Sequence, residues 1–345
     1  MSKAFGLAQL GNAFNDGALS NRNLIINGAM QVAQRGTSAV TPTSSASLYP
    51  VDRWGAYSTP SSKYSAQQQT GGPSGFDNYV RITSLSAHTS TSTDFFPFFT
   101  NLEGQDVQQL QYGSSNAKDV TISFWVRSSL TGNFSVGFRA ASASTSYATT
   151  YTISAANTWE YKTITVAGNT STSIANNNLL GFDVNFDIGH GSLQETTANT
   201  WVAGNKCRVS GTVRIVETNG ATLDITGVQL EVGDTATPFE HRSYGQELAL
   251  CQRYYQRDFF NIILPLNAGS TLRRDYVKLQ TPMRSTPSIS FDDANGNDSK
   301  FYRNGVNKAG GFVTITRTAL VSSSSDGVAS SIDDLYFVYR ADAEL

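Results

Sequence analysis

The sequence predicts a mainly β protein: an antiparallel sandwich with a smaller β unit after it. Three observations predict this. Ser and Thr make up roughly a fifth of the 345 residues and charged residues only 15%. That mixture suits strands and tight turns better than helices, whose surfaces normally carry Glu, Lys and Arg. Short alternating apolar–polar runs also recur between turn residues. No long helical stretch lies between those runs, which argues against the strand–helix alternation of a parallel sheet.

Taken in order, Leu7, Leu10 and Phe14 fall at spacings of three and four, so a short amphipathic helix turned toward a partner accounts for residues 5–16. A frayed terminus is the alternative, because isolated helices this short are marginal in water. Leu24-Ile25-Ile26 begins the first strand, and residues 37–47 form a loop of Ser, Thr, Ala and Pro. Val120–Arg127 alternates cleanly, and Asn133–Arg139 follows the Thr131-Gly132 turn, so the two together are expected as a hairpin. Thr149–Ile153, Glu160–Val166, Leu180–Phe186, Val209–Val216 and Ala221–Leu230 continue the series, the last two joined by the tight-turn signal Asn219-Gly220. No fixed-period repeat is present, which counts against a β-helix.

The one convincing helix starts at Ser243, where a hydroxyl cap and Gln246 make a capping box. Leu248, Cys251 and Tyr255 then share a face, and Phe239 stands ready for a contact before the cap. Further strands are expected at Tyr276–Leu279, Ser288–Phe291, Phe312–Thr316 and Leu335–Tyr339. The expected organisation is therefore a segment 1–22, a sandwich 23–242, a helix 243–256 and a β unit 257–345.

Composition narrows the function classes. A net charge of −2 provides no cationic footprint for nucleic acid. Two cysteines, Cys207 and Cys251, are too few for a disulfide framework and are expected as buried thiols. No apolar run reaches the ~18–20 residues of a membrane span, and the first residues lack the apolar region of a secretory signal. Assembly in the cytoplasm fits, for a particle component or an ordinary cytoplasmic protein.

Catalytic and metal patterns are weak. His88, His190 and His241 have no His or Cys at ligand spacing, so neither a metal nor a cofactor is expected. Gly72-Pro73-Ser74-Gly75 lacks the spacing of a nucleophile elbow. Asp183 and Asp187 share one face of a strand, where a solvated pair is favoured over a catalytic or calcium-binding one. Asp292–Asp298 misses the EF-hand pattern, with Asp298 in place of the turn glycine. Aromatic side chains are the natural platform for the C–H face of a sugar. Trp54, Trp125 and Trp159 are expected in packing roles and Trp201 as the best platform of the four. Tyr64, Phe301 and Tyr302 sit in polar contexts suited to exposure.

Five words of the chain go further: Asn23–Gly28, Asp52-Arg53-Trp54, Ile225–Gly233, Ala236–Tyr244 and Leu248–Tyr255. In this order they resemble a group of bacteriophage tail-fibre and virion adhesin-like proteins over about residues 23–256. The resemblance implies a non-enzymatic virion component, on a tail fibre more than on a capsid, whose jelly-roll domain is similar to carbohydrate-binding modules. It implies attachment to a host surface glycan and a homotrimer; a decoration or spacer protein and a glycan hydrolase are the alternatives. Docking to other virion proteins then falls to residues 1–22, and Leu7, Leu10, Phe14, Leu248 and Tyr255 are the candidate docking and oligomer contacts. Glycan recognition is expected in loops of the carboxy-terminal unit, at Asp298, Phe301, Tyr302 and Arg303, with Trp201 as the competing site.

Overall fold

The computed structural model describes the backbone of residues 21–265, 273–292, 300–303, 306–315, 319–324 and 332–345, and the side chains of 21–259, 278–292 and 337–345. Leu7, Leu10, Phe14 and Asp298 lie outside these residues. The chain divides into two compact units that meet at Tyr244/Gly245.

The first unit is an antiparallel jelly-roll sandwich. Its strands are β1 (Leu48–Val51), β2 (Trp54–Ala56), β3 (Tyr64–Thr70), β4 (Asn78–Ser84), β5 (Pro97–Glu103), β6 (Val120–Ser128) and β7 (Gly132–Ala140). They continue with β8 (Thr145–Ile153), β9 (Glu160–Val166), β10 (Leu180–Asp187), β11 (Glu195–Thr196), β12 (Trp201–Ala203), β13 (Arg208–Val209) and β14 (Thr222–Val232). One sheet has the order β1-β2-β5-β10-β7-β8-β12 and the other β3-β4-β14-β6-β9, with a small parallel β11–β13 pair beside them. The pleat decides what each strand buries. In β6, Val120, Ile122, Phe124 and Val126 are fully buried between the sheets, while Thr121, Ser123, Trp125 and Arg127 point the other way. Between the sheets Trp54 stacks on Phe98 at 5.1 Å, and Phe124 meets Phe186 and Tyr151 edge-on at 5.1 Å each. Each such ring contributes about 1.5–3 kcal/mol by leaving water.

Two expected hairpins are absent. β6 and β7 are consecutive but lie in opposite sheets, and β7 pairs with β8 instead. Their inward residues form the two halves of one core, which a hairpin within a single sheet could not provide. Residues 210–214 form no strand before Asn219-Gly220, because β14 is already hydrogen-bonded by β4 on one edge and β6 on the other.

Leu24-Ile25-Ile26 is likewise a pinned turn rather than a strand. The Asn23 side chain takes Ile25 N–H at 3.0 Å and Leu230 N–H at 3.1 Å, and donates to Val228 O at 3.1 Å. Asn27, with φ +58°, accepts from Gln31 and Val32 N–H and donates to Val32 O and Asp52 O, all at 2.8–3.0 Å. Trp54 Nε1 then donates 3.1 Å to Asn27 O. Side-chain amides do here what a strand ladder does elsewhere, leaving the buried backbone satisfied. Gly28 is required in this knot: a Cβ there would sit 2.0 Å from Val228 O.

In the second unit, helix α1 (Tyr244–Gln252) follows Ser243. It is shorter than the sequence suggests, and Tyr255 begins β15 (Tyr255–Pro265) instead of extending the helix. The remaining strands are β16 (Arg273–Lys278), β17 (Ser288–Asp292), β18 (Lys300–Arg303), β19 (Val306–Ile315), β20 (Ala319–Ser324) and β21 (Ile332–Asp342). They form one sheet, β15-β21-β18-β19-β20-β16, with β17 also on β21. Leu279, Met283, Phe291, Phe337 and Tyr339 form its described core. Cys207 and Cys251 are buried free thiols.

Asn27→Ala removes four side-chain hydrogen bonds, three of them buried, and strands both donors and acceptors. The unfolding free energy measured by urea titration should fall by about 3 kcal/mol.

Candidate functional site

The outward face of the five-stranded sheet carries the site. Strand pairing sets two adjacent rows across it. In one, Thr226 lies opposite Trp125 and Trp125 opposite Tyr161; in the next, Arg81, Asp224 and Arg127 lie side by side. Trp125 and Tyr161 are 5.4 Å apart between ring centres, and Tyr161 is 44% exposed. The register of β14 slips between Thr226 and Gln229. The slip is centred on Gly227, whose φ of +61° suits glycine. A Cβ at Gly227 would also lie 2.7 Å from the Phe76 ring.

Beyond β14 the chain turns back over this face as a strap, held by two side chains of the strand it has just left. Glu231 accepts from Thr237 N–H at 2.8 Å and from Thr237 Oγ1 at 2.7 Å. Gln229 donates 2.9 Å to Glu231 Oε1 and accepts from Glu240 N–H at 2.8 Å. Phe239 packs edge-on against Phe76 at 4.9 Å, and the exposed His241 ring leans on both. Strap and sheet enclose a cleft of about 600 Å³ lined by Phe76, Trp125, Tyr161, Thr163, Pro238 and Phe239 along with small residues. No charged side chain lines it. Trp125 Nε1, Tyr161 OH and Thr163 OH have no hydrogen-bond partner among the described residues. The cleft thus offers flat apolar ring faces and uncommitted polar hydrogens, the composition of a small-ligand site.

The outward face of the seven-stranded sheet is closed. Asp183 and Asp187, expected in solvent, are fully buried, because residues 188–217 fold back over their strand. Arg139 Nε lies 2.8 Å from Asp183, and Arg208 pairs with Asp187, whose carboxylate also takes Gly189 and His190 N–H. His190, in what the sequence presents as a flexible loop, is fully buried: Nδ1 accepts from Phe96 N–H at 3.0 Å, so Nε2 carries the proton toward Asn185 Oδ1 at 3.3 Å. Burial pushes His190 down to about 4, against the opposing pull of Asp187. Burial also pushes the Cys207 thiol up to about 12, which leaves it unreactive. Among the described residues no group of three or more His, Cys, Asp or Glu side chains is placed to hold a metal ion.

The other sequence candidates are scattered. Trp201 is half-buried in β12, donates 2.7 Å to Ala167 O and packs on Tyr147 and Tyr112 at 5.4 and 5.8 Å. Phe301, Tyr302 and Arg303 are on β18, with side chains outside the described ones. Leu248 is half-buried on α1, and Tyr255 is only 4% exposed. Tyr64, expected at the surface, is fully buried with its hydroxyl on Tyr57 O and Pro97 O. Trp125 was expected in the core, but the parity of β6 places it outside. Val120, Ile122, Phe124 and Val126 fill the inward positions, so an odd-numbered Trp must face out. Phe76, Phe239 and the strap have no local sequence signal for a shared cleft.

No known sequence family matches the chain, and no curated protein does. Among solved structures it is similar to a putative sugar-binding protein from Bacteroides thetaiotaomicron (12% identity, TM-score 0.36, covering 61% of this chain and 99% of that one). The enzymatically active domain of bacteriophage CBA120 tailspike protein 4 is also similar (12%, TM-score 0.33, 61% of this chain and 21% of that one). So is the family 11 carbohydrate-binding module of a Clostridium thermocellum cellulosomal cellulase (12%, TM-score 0.29, 59% and 98%).

The buried His190 sets an acid limit on the fold. Its folded value of about 4 lies below the ordinary 6.5, so the unfolded chain binds the proton first. Its contribution is whole above pH 6.5 and is lost as pH falls toward 4, up to roughly 3 kcal/mol. Melting temperature followed from pH 7 to 4.5 should fall, and His190→Gln should flatten that slope.

Proposed function

We propose that this chain is a non-enzymatic glycan-binding protein of a bacteriophage virion, and that it binds sugar in the cleft between the five-stranded sheet and its strap. One observation carries the reading: an exposed Tyr161 ring beside a half-buried Trp125 ring lines an uncharged cleft whose polar hydrogens are uncommitted. A pyranose ring has an apolar C–H face that stacks on such rings and a rim of hydroxyls that accepts from Trp N–H and donates to Tyr or Thr oxygens. The strand carboxylates of the opposite face do not suit hydrolysis. General acid–base work needs two carboxyls reaching the same bond, and Asp183 and Asp187 are each locked under cover to an arginine. The virion setting, the host surface as the source of the glycan, docking through residues 1–22 and a homotrimer rest on the five tail-fibre-like words of the sequence.

Trp125→Ala and Tyr161→Ala should each weaken glycan binding, measured by calorimetry or on a glycan array, by about tenfold or more. Their melting temperatures should stay within about 2 °C of the parent. Trp201→Ala should do the reverse, since its indole is bonded and packed. If both cleft variants bound as the parent does, the spacer or decoration reading would replace this one.

Light scattering on the full chain should return three times the 37.2 kDa chain mass. A mass independent of concentration and equal to one chain would remove the trimer.

A further inference from the structure

We infer that the glycan is acidic: an uncharged ring lies in the cleft, and an anionic substituent on the neighbouring ring meets a second subsite at Arg81 and Arg127. The inference rests on the glycan-binding reading of the cleft and adds the chemical class of its ligand. Arg127 is two residues from Trp125 on the same face of β6, hence about 7 Å further along the sheet. Its carboxylate partner is already saturated. Arg81 grips Asp224 with Nε and Nη2 at 2.8 and 2.9 Å, and Arg127 grips it again with Nε at 2.8 Å and Nη2 at 2.7 Å.

One guanidinium neutralises one carboxylate, so two leave a positive charge over. The Asp224 side chain is 1% exposed, whereas those of Arg81 and Arg127 are 36% and 22% exposed. Neither Nη1 group has a partner among the described residues. The surplus charge is therefore at the surface, with donors to spare. It is also held still: Arg127 lies 4.7 Å from the Trp159 ring centre and 5.3 Å from that of Tyr79, with Arg81 5.6 Å from the latter. A fixed guanidinium with free N–H groups binds carboxylate or sulfate without first being ordered.

The test uses the full chain and matched probes: gluco-, galacto- and manno-oligosaccharides, each neutral and oxidised at C6 to the uronate, with a sulfated set as a second arm. Calorimetry should show acidic probes binding about tenfold tighter than their neutral partners, with the advantage shrinking toward parity in roughly 0.5 M salt. Arg81→Gln leaves Asp224 paired with Arg127 and should reduce that advantage to about twofold without weakening neutral binding. Arg127→Gln should act alike, and a melting curve checks that each variant is folded. The arm that responds to the substitutions separates carboxylate from sulfate. Equal affinity for neutral and acidic probes, or an acid preference untouched by either substitution, overturns the second subsite and leaves the cleft standing. If no probe binds, and Trp125→Ala changes nothing, the cleft and the subsite fall together.

Discussion

The closure of the strap by Gln229 and Glu231 is the contact on which the rest of the sandwich's outer architecture depends. Both side chains leave the outward face of β14, where a solvated strand would carry them at no cost. Here they are buried and bond each other at 2.9 Å, and they hold Thr237 and Glu240 through three contacts at 2.7–2.8 Å. Buried polar groups are tolerable only when satisfied, and the strap satisfies them. The same stretch receives the other end of the domain: Arg22 Nη1 donates 2.8 Å to Thr237 Oγ1, and Asn23 N–H donates 2.9 Å to Glu240. The start and finish of the sandwich are thus tied at the wall of the cleft. Two of the five sequence words build this wall: Gln229 and Glu231 of Ile225–Gly233 hold the strap, and Pro238 and Phe239 of Ala236–Tyr244 line the cleft.

The two outward faces have opposite fates for one reason. On the seven-stranded sheet the chain returns across β10 and buries Asp183, Asp187, His190 and Arg208 as a paired layer. Such ion pairs roughly break even against their desolvation, but removing one partner is costly, so this layer fixes the covering loops. Asn185 Nδ2 has no partner in it. On the five-stranded sheet the covering segment is a short strap, and Gly227 leaves room for the Phe76 ring on which Phe239 packs, while Tyr161 stays open. A surface left apolar and uncovered on a sandwich otherwise so thoroughly closed is the kind that binds something.

Much of the fold is legible in the sequence because burial in a sheet follows a period of two. β6, β9, β10 and most strands of the second unit coincide with the alternating runs, and their turn residues bound them. The same parity places Trp125 outside the core. The pairing of strands is not written locally. β6 and β7 look like a hairpin, yet they occupy opposite sheets, because the long-range burial of Phe124 against Phe186 outweighs a local turn.

What the sequence determines by itself is the β class, the alternating runs that become strands such as β6 and β9, the buried thiols, and the short helix after Ser243. Only the tertiary structure decided which outward face would remain open. Phe76, Trp125, Tyr161 and Phe239 are spread over more than 160 residues, and each is ordinary where it stands. They meet because a glycine bulge, a strap and two buried side chains bring distant backbone together, and a cleft made of such contacts has no signature in any one segment.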